Sequence, residues 1–294
     1  MKLLHRYTKD GLNLLGCYWE ENPELKKDCC VVFTHGMFDN ILENTFAHVL
    51  GEELSENGFG FIFGHNRGYG VINNIIKKDP RTKKTSEKII GSTFENFGEA
   101  IYDVELWLEE AKKLGYSKVI LAGHSLGCLK NLYYVSKKGF TWIDGFIFIS
   151  APDSAGLIKR SGQFEKMFIE AEKNIGTGRA KRILLKKMLG VFPISSRTLI
   201  NLRKGGIADV FPLVENPEEF GIFQEINKPI LMVVGEKDSV IINSPEKDFE
   251  ILKEKAVKCP DFTGIVLEDA THRYIKKEEE LTEAVTNWVC KTFN

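Results

Sequence analysis

Short, mostly apolar runs separated by longer stretches that are apolar on one face restrict this chain to few architectures. The runs at 29–34, 58–64, 118–122, 145–150, 229–235 and 263–267 lack any alternation of apolar and polar residues. Strands buried on both sides read this way, and sheets built from them are parallel and covered by helices. Between the runs, Phe46, Val49, Leu50 and Leu54 recur at helical spacing. So do Phe94, Phe97, Ile101, Val104, Leu108 and Ala111, closed by Gly115, and the late set Leu281, Ala284, Val285, Trp288 and Val289. Lys9-Asp10-Gly11 between two early strand-like segments predicts a hairpin. The expected fold is α/β, a doubly wound, mostly parallel sheet flanked by helices, with its chemistry at the carboxyl ends of the strands. Residues 71–91 are polar and Lys-rich and read as a loop; Ile72, Ile75 and Ile76 in it are expected to border the entrance to a site.

The rhythm breaks over residues 154–228, which hold helix-like segments and no clear strand. The expected division is a core of 1–153 and 229–294 with a helical cap, 154–228, inserted after the sixth strand. Phe164, Met167, Phe168 and Ile169 would form the cap's apolar inner face. Residues 157–190 contain nine Lys and Arg against three Glu. That excess suits a solvated helix face, or a basic rim drawing in an anionic substrate such as a carboxylated ester or a coenzyme A thioester.

A formal net charge of -1 gives no basic excess of the kind that marks nucleic-acid binding. No apolar run reaches the roughly 18 residues of a membrane span. The six cysteines are too few for a disulfide scaffold and lack zinc-site spacing, so they read as reduced core residues of a cytoplasmic protein with no metal.

Gly123-His124-Ser125-Leu126-Gly127 follows one apolar run and opens a helix. A Gly-x-Ser-x-Gly turn in that context presents a strained serine clear of the sheet, at the positive end of the helix. A serine needs a base, and in this arrangement the acid and then a histidine follow the nucleophile. Of the six histidines only His272 follows Ser125, just past the run 263–267. Asp238, a short turn past 229–235, is the favoured acid; Asp153 after 145–150 is the fallback, with a helix N-cap as its alternative role. Asp269 reads as structural. The oxyanion donors would be the backbone N–H groups of Leu126 and Met37, with Gly36 permitting close approach and His35 organising the loop. Cys128, one turn into the elbow helix, is expected to pack against the sheet.

These features, with the Asn66-Arg67-Gly68-Tyr69-Gly70 turn, resemble an α/β-hydrolase-fold serine hydrolase over nearly the whole chain. Most members carry Asp where this chain has Asn66, a departure expected to touch loop structure rather than chemistry. The oxyanion loop lacks the Gly-Gly-Gly run of some carboxylesterases, so by resemblance bulky tertiary-alcohol esters are not expected substrates. Ser125 in place of an acidic nucleophile sets the chain apart from haloalkane dehalogenases. Gly-Tyr-Ser-Lys at 115–118, the segment 194–200 and Ala208-Asp209-Val210-Phe211 resemble the fungal siderophore-esterase-like family and its bacterial relatives. This narrower resemblance implies hydrolysis of ester bonds in a medium-sized acylated natural product; the broader one implies a Ser-His-Asp hydrolase acting on a carboxylic ester or thioester of a small-molecule acyl substrate, without a cofactor. An acyltransferase or amide hydrolase would use the same residues. A ligand-binding protein on the same fold is the alternative outside catalysis.

Overall fold

The computed structural model describes residues 1–162, 164–213 and 220–294. Its centre is an eight-stranded sheet in the order β1-β2-β4-β3-β7-β8-β9-β10. The strands are β1 (Lys2–Tyr7), β2 (Asn13–Trp19), β3 (Cys29–Thr34), β4 (Gly60–Gly64), β7 (Lys118–His124), β8 (Gly145–Ile149), β9 (Ile230–Gly235) and β10 (Phe262–Leu267). β1 and β2 run antiparallel, and every pair from β4 to β10 is parallel. The strand order reverses at β3, so later crossovers cover the second face.

Alternate side chains on the inner strands divide the core. Val31 and Phe33 of β3 join the layer under α1 (Thr45–Glu56) and α8 (Glu278–Phe293). Cys30 and Val32 join the layer under α2 (Ala100–Lys113), α3 (Leu126–Lys138) and α7 (Pro245–Lys255). A strand whose side chains all enter a core has no solvent face to carry polar residues, which is why these runs read as unbroken. Trp107 of α2 needs the two glycines opposite it. A Cβ at Gly64 would sit 2.0 Å from its Cε2, and one at Gly16 would sit 2.6 Å from its Cη2.

Residues 71–91 differ from their reading as a loop. β5 (Asn73–Lys78) and β6 (Thr85–Ile90) form an antiparallel hairpin closed around Asp79 and Pro80. Its lysines lie on a surface ribbon, and a two-stranded ribbon with little core leaves a weak hydrophobic pattern. Ile75 and Ile76 stand in β5 and Ile72 just before it, and none of the three lies in the wall of the cavity at the elbow.

Between β8, the sixth strand of the large sheet, and β9, the described residues form α4 (Ser154–Ser161), α5 (Glu165–Gly176) and α6 (Ser196–Asn201). Gln163 and residues 214–219 of the expected cap lie outside the described residues. Phe164 and Met167 are buried, but Ile169 is 63% exposed and so departs from the expected inner face. No helix among the described residues is long and apolar enough to cross a membrane.

Candidate active site

β7 ends in the turn that enters α3, and Ser125 stands between them with φ 53° and ψ -128°. Such a conformation costs a non-glycine residue on the order of 1–3 kcal/mol. The surroundings impose it. Ser125 N–H donates to Ile149 O (2.9 Å), and its carbonyl accepts from Cys128 N–H (2.9 Å). A Cβ at Gly127 would lie 2.1 Å from Thr34 O, and one at Gly36 would lie 2.9 Å from Ser125 Cβ. Gly127→Ala therefore collides with the backbone at the end of β3. It is expected to cost about 3 kcal/mol or more in urea unfolding; a variant as stable as the native chain would mean that the elbow can relax.

The structure brings Ser125, His272 and Asp238 together. Ser125 Oγ lies 3.0 Å from His272 Nε2, and His272 Nδ1 lies 2.9 Å from Asp238 Oδ1. The Asp238 side chain has no exposure, while His272 is a quarter exposed. Burial alone would raise the Asp238 carboxyl. Hydrogen bonding and charge from His272, a hydroxyl from Ser150 and the Val240 N–H outweigh it and hold the carboxyl below its usual range. Asp153, the fallback, is instead the N-cap of α4 and accepts from Gly156 N–H (2.7 Å). Asp269 sits at the surface and pairs with Lys237.

Met37 and Leu126 stand beside Ser125 in the same cavity wall. Among the described residues neither N–H donates a hydrogen bond. Leu126 is the first residue of α3, where the helix itself supplies no acceptor. Two free donors beside a nucleophile can receive a developing oxyanion. The His35 ring fixes this loop: Nδ1–H donates to Gly36 O (2.8 Å), and Nε2 accepts from Asn66 N–H (3.0 Å).

Asn66 has a structural explanation. Its Nδ2 donates to His35 O (3.1 Å), which a carboxylate could not do. Its Oδ1 accepts from Lys130 Nζ (2.8 Å), a fully buried ammonium already paired with Glu95 at 2.6 Å. One carboxylate balances one ammonium, and the amide completes the contact without adding charge.

Two further residues escaped sequence reasoning. Ser150 donates its hydroxyl to the second oxygen of Asp238, and Tyr274 OH lies 2.7 Å from Ser150 Oγ. With the Ser150 proton committed to Asp238, Tyr274 is the donor in that pair. The signals were weak: a serine closing a strand and a tyrosine two positions past His272. Cys128 is buried against Gly123 O and Ile149 O, and burial raises its thiol well above the usual value, which keeps it protonated.

The elbow opens on a cavity of about 440 Å³. Met37, Phe38, Leu157, Phe164, Met188 and Val240 give it a largely apolar wall. Arg160 is the one Lys or Arg in that wall among the described residues, and its guanidinium donates to Ser239 O (2.7 Å) and Ile241 O.

The family described as protein of unknown function DUF1749 matches residues 95–293. No curated protein matches. Among solved structures, Est1E from Butyrivibrio proteoclasticus is 18% identical with a TM-score of 0.62, covering 98% of each chain. A soluble variant of monoglyceride lipase from Saccharomyces cerevisiae is 18% identical with a TM-score of 0.67, covering 100% of this chain and 96% of its own. XC6422 from Xanthomonas campestris, described as an α/β serine hydrolase without a lid, is 13% identical with a TM-score of 0.55, covering 99% and 94%. The chain has the α/β-hydrolase fold and belongs to the DUF1749 family of proteins of unknown function.

Proposed function

We propose that this chain is a serine hydrolase that cleaves a carboxylic ester, or a thioester, through an acyl-enzyme intermediate. The observation that carries the reading is the hydrogen-bond chain from Ser125 Oγ through His272 to Asp238, opening on an apolar cavity. His272 Nε2 takes the Ser125 proton as Oγ bonds to the carbonyl carbon. The carbonyl oxygen becomes an oxyanion facing the Met37 and Leu126 N–H groups. As the tetrahedral adduct collapses, its C–O or C–S bond breaks and His272 returns the proton to the leaving group. Water, deprotonated by the same ring, then releases the acid and restores Ser125. Asp238 holds the Nδ1–H tautomer and stabilises the transient imidazolium.

Residues 154–228 act as the cap in this proposal, supported by Leu157, Ile158, Phe164, Met188, Leu189 and Leu202 in the cavity wall. The apolar wall and the engaged guanidinium of Arg160 favour a neutral acyl group of moderate size over an anionic one. Solved relatives of this fold include Est1E with ferulic acid bound and the yeast monoglyceride lipase, which supports ester chemistry. The six free cysteines, four of them buried, suit a reducing cytoplasm.

Intact-mass labelling with a fluorophosphonate tests the proposal. The native chain is expected to gain one adduct, and Ser125→Ala none. An adduct that persists in Ser125→Ala overturns the choice of nucleophile; an unlabelled native chain overturns the activated serine.

A further inference from the structure

Among the described residues, Arg160 is the only cation of residues 154–228 in the cavity wall, which leaves the arrangement of the others to be explained. From residue 173 to residue 208 the chain carries nine Lys and Arg and no Asp or Glu. Within that stretch, residues 184–194 form a narrow loop. Leu184 N–H donates to Ile194 O (3.0 Å), and Met188 and Phe192 exchange backbone hydrogen bonds of 2.8 and 2.9 Å. The turn over the top, Leu189-Gly190, takes positive φ at both residues. The side chains it displays are apolar: Leu185 is 88% exposed, Leu189 68% and Val191 63%. Lys186 and Lys187 stand between them, with Lys181 and Arg182 just before. Among the described residues none of these four cations meets a carboxylate. Of the carboxylates of α5, Glu170 accepts from the Leu185 N–H at the base of the loop and Glu172 pairs with Arg203.

We propose that this loop docks the chain on an anionic lipid surface, with Leu185, Leu189 and Val191 entering the acyl boundary and Lys181, Arg182, Lys186 and Lys187 lying on the headgroups. Apolar side chains set among unpaired cations match such an interface in both polarity and charge. A nucleic acid would use the cations but offers these aliphatic tips nothing to enter, and the loop's one aromatic, Phe192, is already stacked on Phe38 at 4.1 Å. Leu189 belongs to both the tip and the cavity wall, so the docked face borders the mouth of the cavity. The proposal goes beyond the hydrolase reading and does not need Ser125 to react.

Co-sedimentation separates the two. Native chain and Ser125→Ala are each mixed with vesicles of phosphatidylcholine alone, or with one part in three replaced by phosphatidylserine, at about 0.1 M and about 0.5 M salt. Both chains are expected to pellet with the anionic vesicles at low salt, and to stay in solution with neutral vesicles or at high salt. The double variants Lys186→Glu/Lys187→Glu and Leu185→Ser/Val191→Ser are each expected to lower partitioning by about tenfold or more, while hydrolysis of a soluble short-chain ester is unchanged. Absence of pelleting, equal pelleting of the lysine variant, or retention on single-stranded DNA without vesicle binding would each overturn the proposal. A native chain that pellets but never hydrolyses would fail the hydrolase reading and leave the docking surface intact.

Discussion

His272→Ala is expected to lower the turnover of a soluble ester by about 10⁵–10⁶, and Asp238→Asn by about 10⁴. The two losses differ because the residues act at different distances from the reacting atoms. Nε2 of His272 faces Ser125 Oγ at 3.0 Å and, in the proposed cycle, would handle every proton. Asp238 touches only Nδ1, so its amide analogue leaves a base in place in the wrong tautomer. Ser150→Ala lies one step further out. It removes a single hydrogen bond to a charged group, and about a 10- to 100-fold loss in kcat is expected, with KM nearly unchanged. A double-mutant cycle separates this role from a structural one: in the Asp238→Asn background the Ser150→Ala loss should shrink severalfold, because the carboxylate that accepts the hydroxyl is gone. Steady-state kinetics of the three variants tests the whole series. His272→Ala within tenfold of the native chain would remove the ring from the mechanism.

The order of these residues was legible because it depends on strand ends, which apolar runs mark clearly. Ser125 and Asp238 each follow a strand buried on both faces, His272 follows the half-buried edge strand β10, and the structure places their side chains within hydrogen-bond distance. The partners of Asp238 were not legible. Ser150 and Tyr274 meet only because β8 and the loop after β10 flank β9, a contact 124 residues apart in sequence. No local pattern encodes such a contact. The hairpin of β5 and β6 was missed for a different reason. β5 alternates in burial but its inward residues are only half covered, β6 reaches full burial only at Ile90, and lysine on both sides masks the period. Asn66 shows a third limit. Its likeness to the usual Asp was visible, whereas the buried Lys130 and Glu95 that make an amide the better choice there were not. The same is true of the charge on the proposed cap: the excess was countable, but its outward placement on a loop with apolar tips required the fold.

Acid is expected to unfold this chain between about pH 6 and pH 4, before most carboxylates titrate. Three histidines are buried as neutral rings: His35, His65 and His124. Burial lowers all three, His65 to about 4, His124 to about 3 and His35 well below its usual value. Their hydrogen bonds oppose a second proton as well. Nε2 of His35 and Nε2 of His65 each accept a backbone N–H, from Asn66 and Ile41, and protonation would break those bonds. His124 donates Nε2–H to His272 O, and its Nδ1 meets no partner among the described residues that could take a proton. Above pH 6.5 the rings are neutral in both states and contribute no pH dependence. As pH falls below the unfolded value of about 6.5, the unfolded chain binds protons that the folded chain refuses. Each ring then removes about 1.4 kcal/mol per pH unit, about 4 for the three together, until pH reaches its folded value. Against a typical total of about 5–15 kcal/mol, that slope exhausts stability within a few pH units. Urea unfolding at pH 7, 6 and 5 measures it directly. His65→Gln keeps an acceptor for the Ile41 N–H but removes one proton-binding group, so its slope should be about a third shallower. Stability at pH 5 within about 1 kcal/mol of its value at pH 7 would show that these rings accept protons in the folded state. In that case His124, whose ring centroid lies 4.8 Å from that of His272, would carry its charge beside the base, and turnover in acid would fall without unfolding.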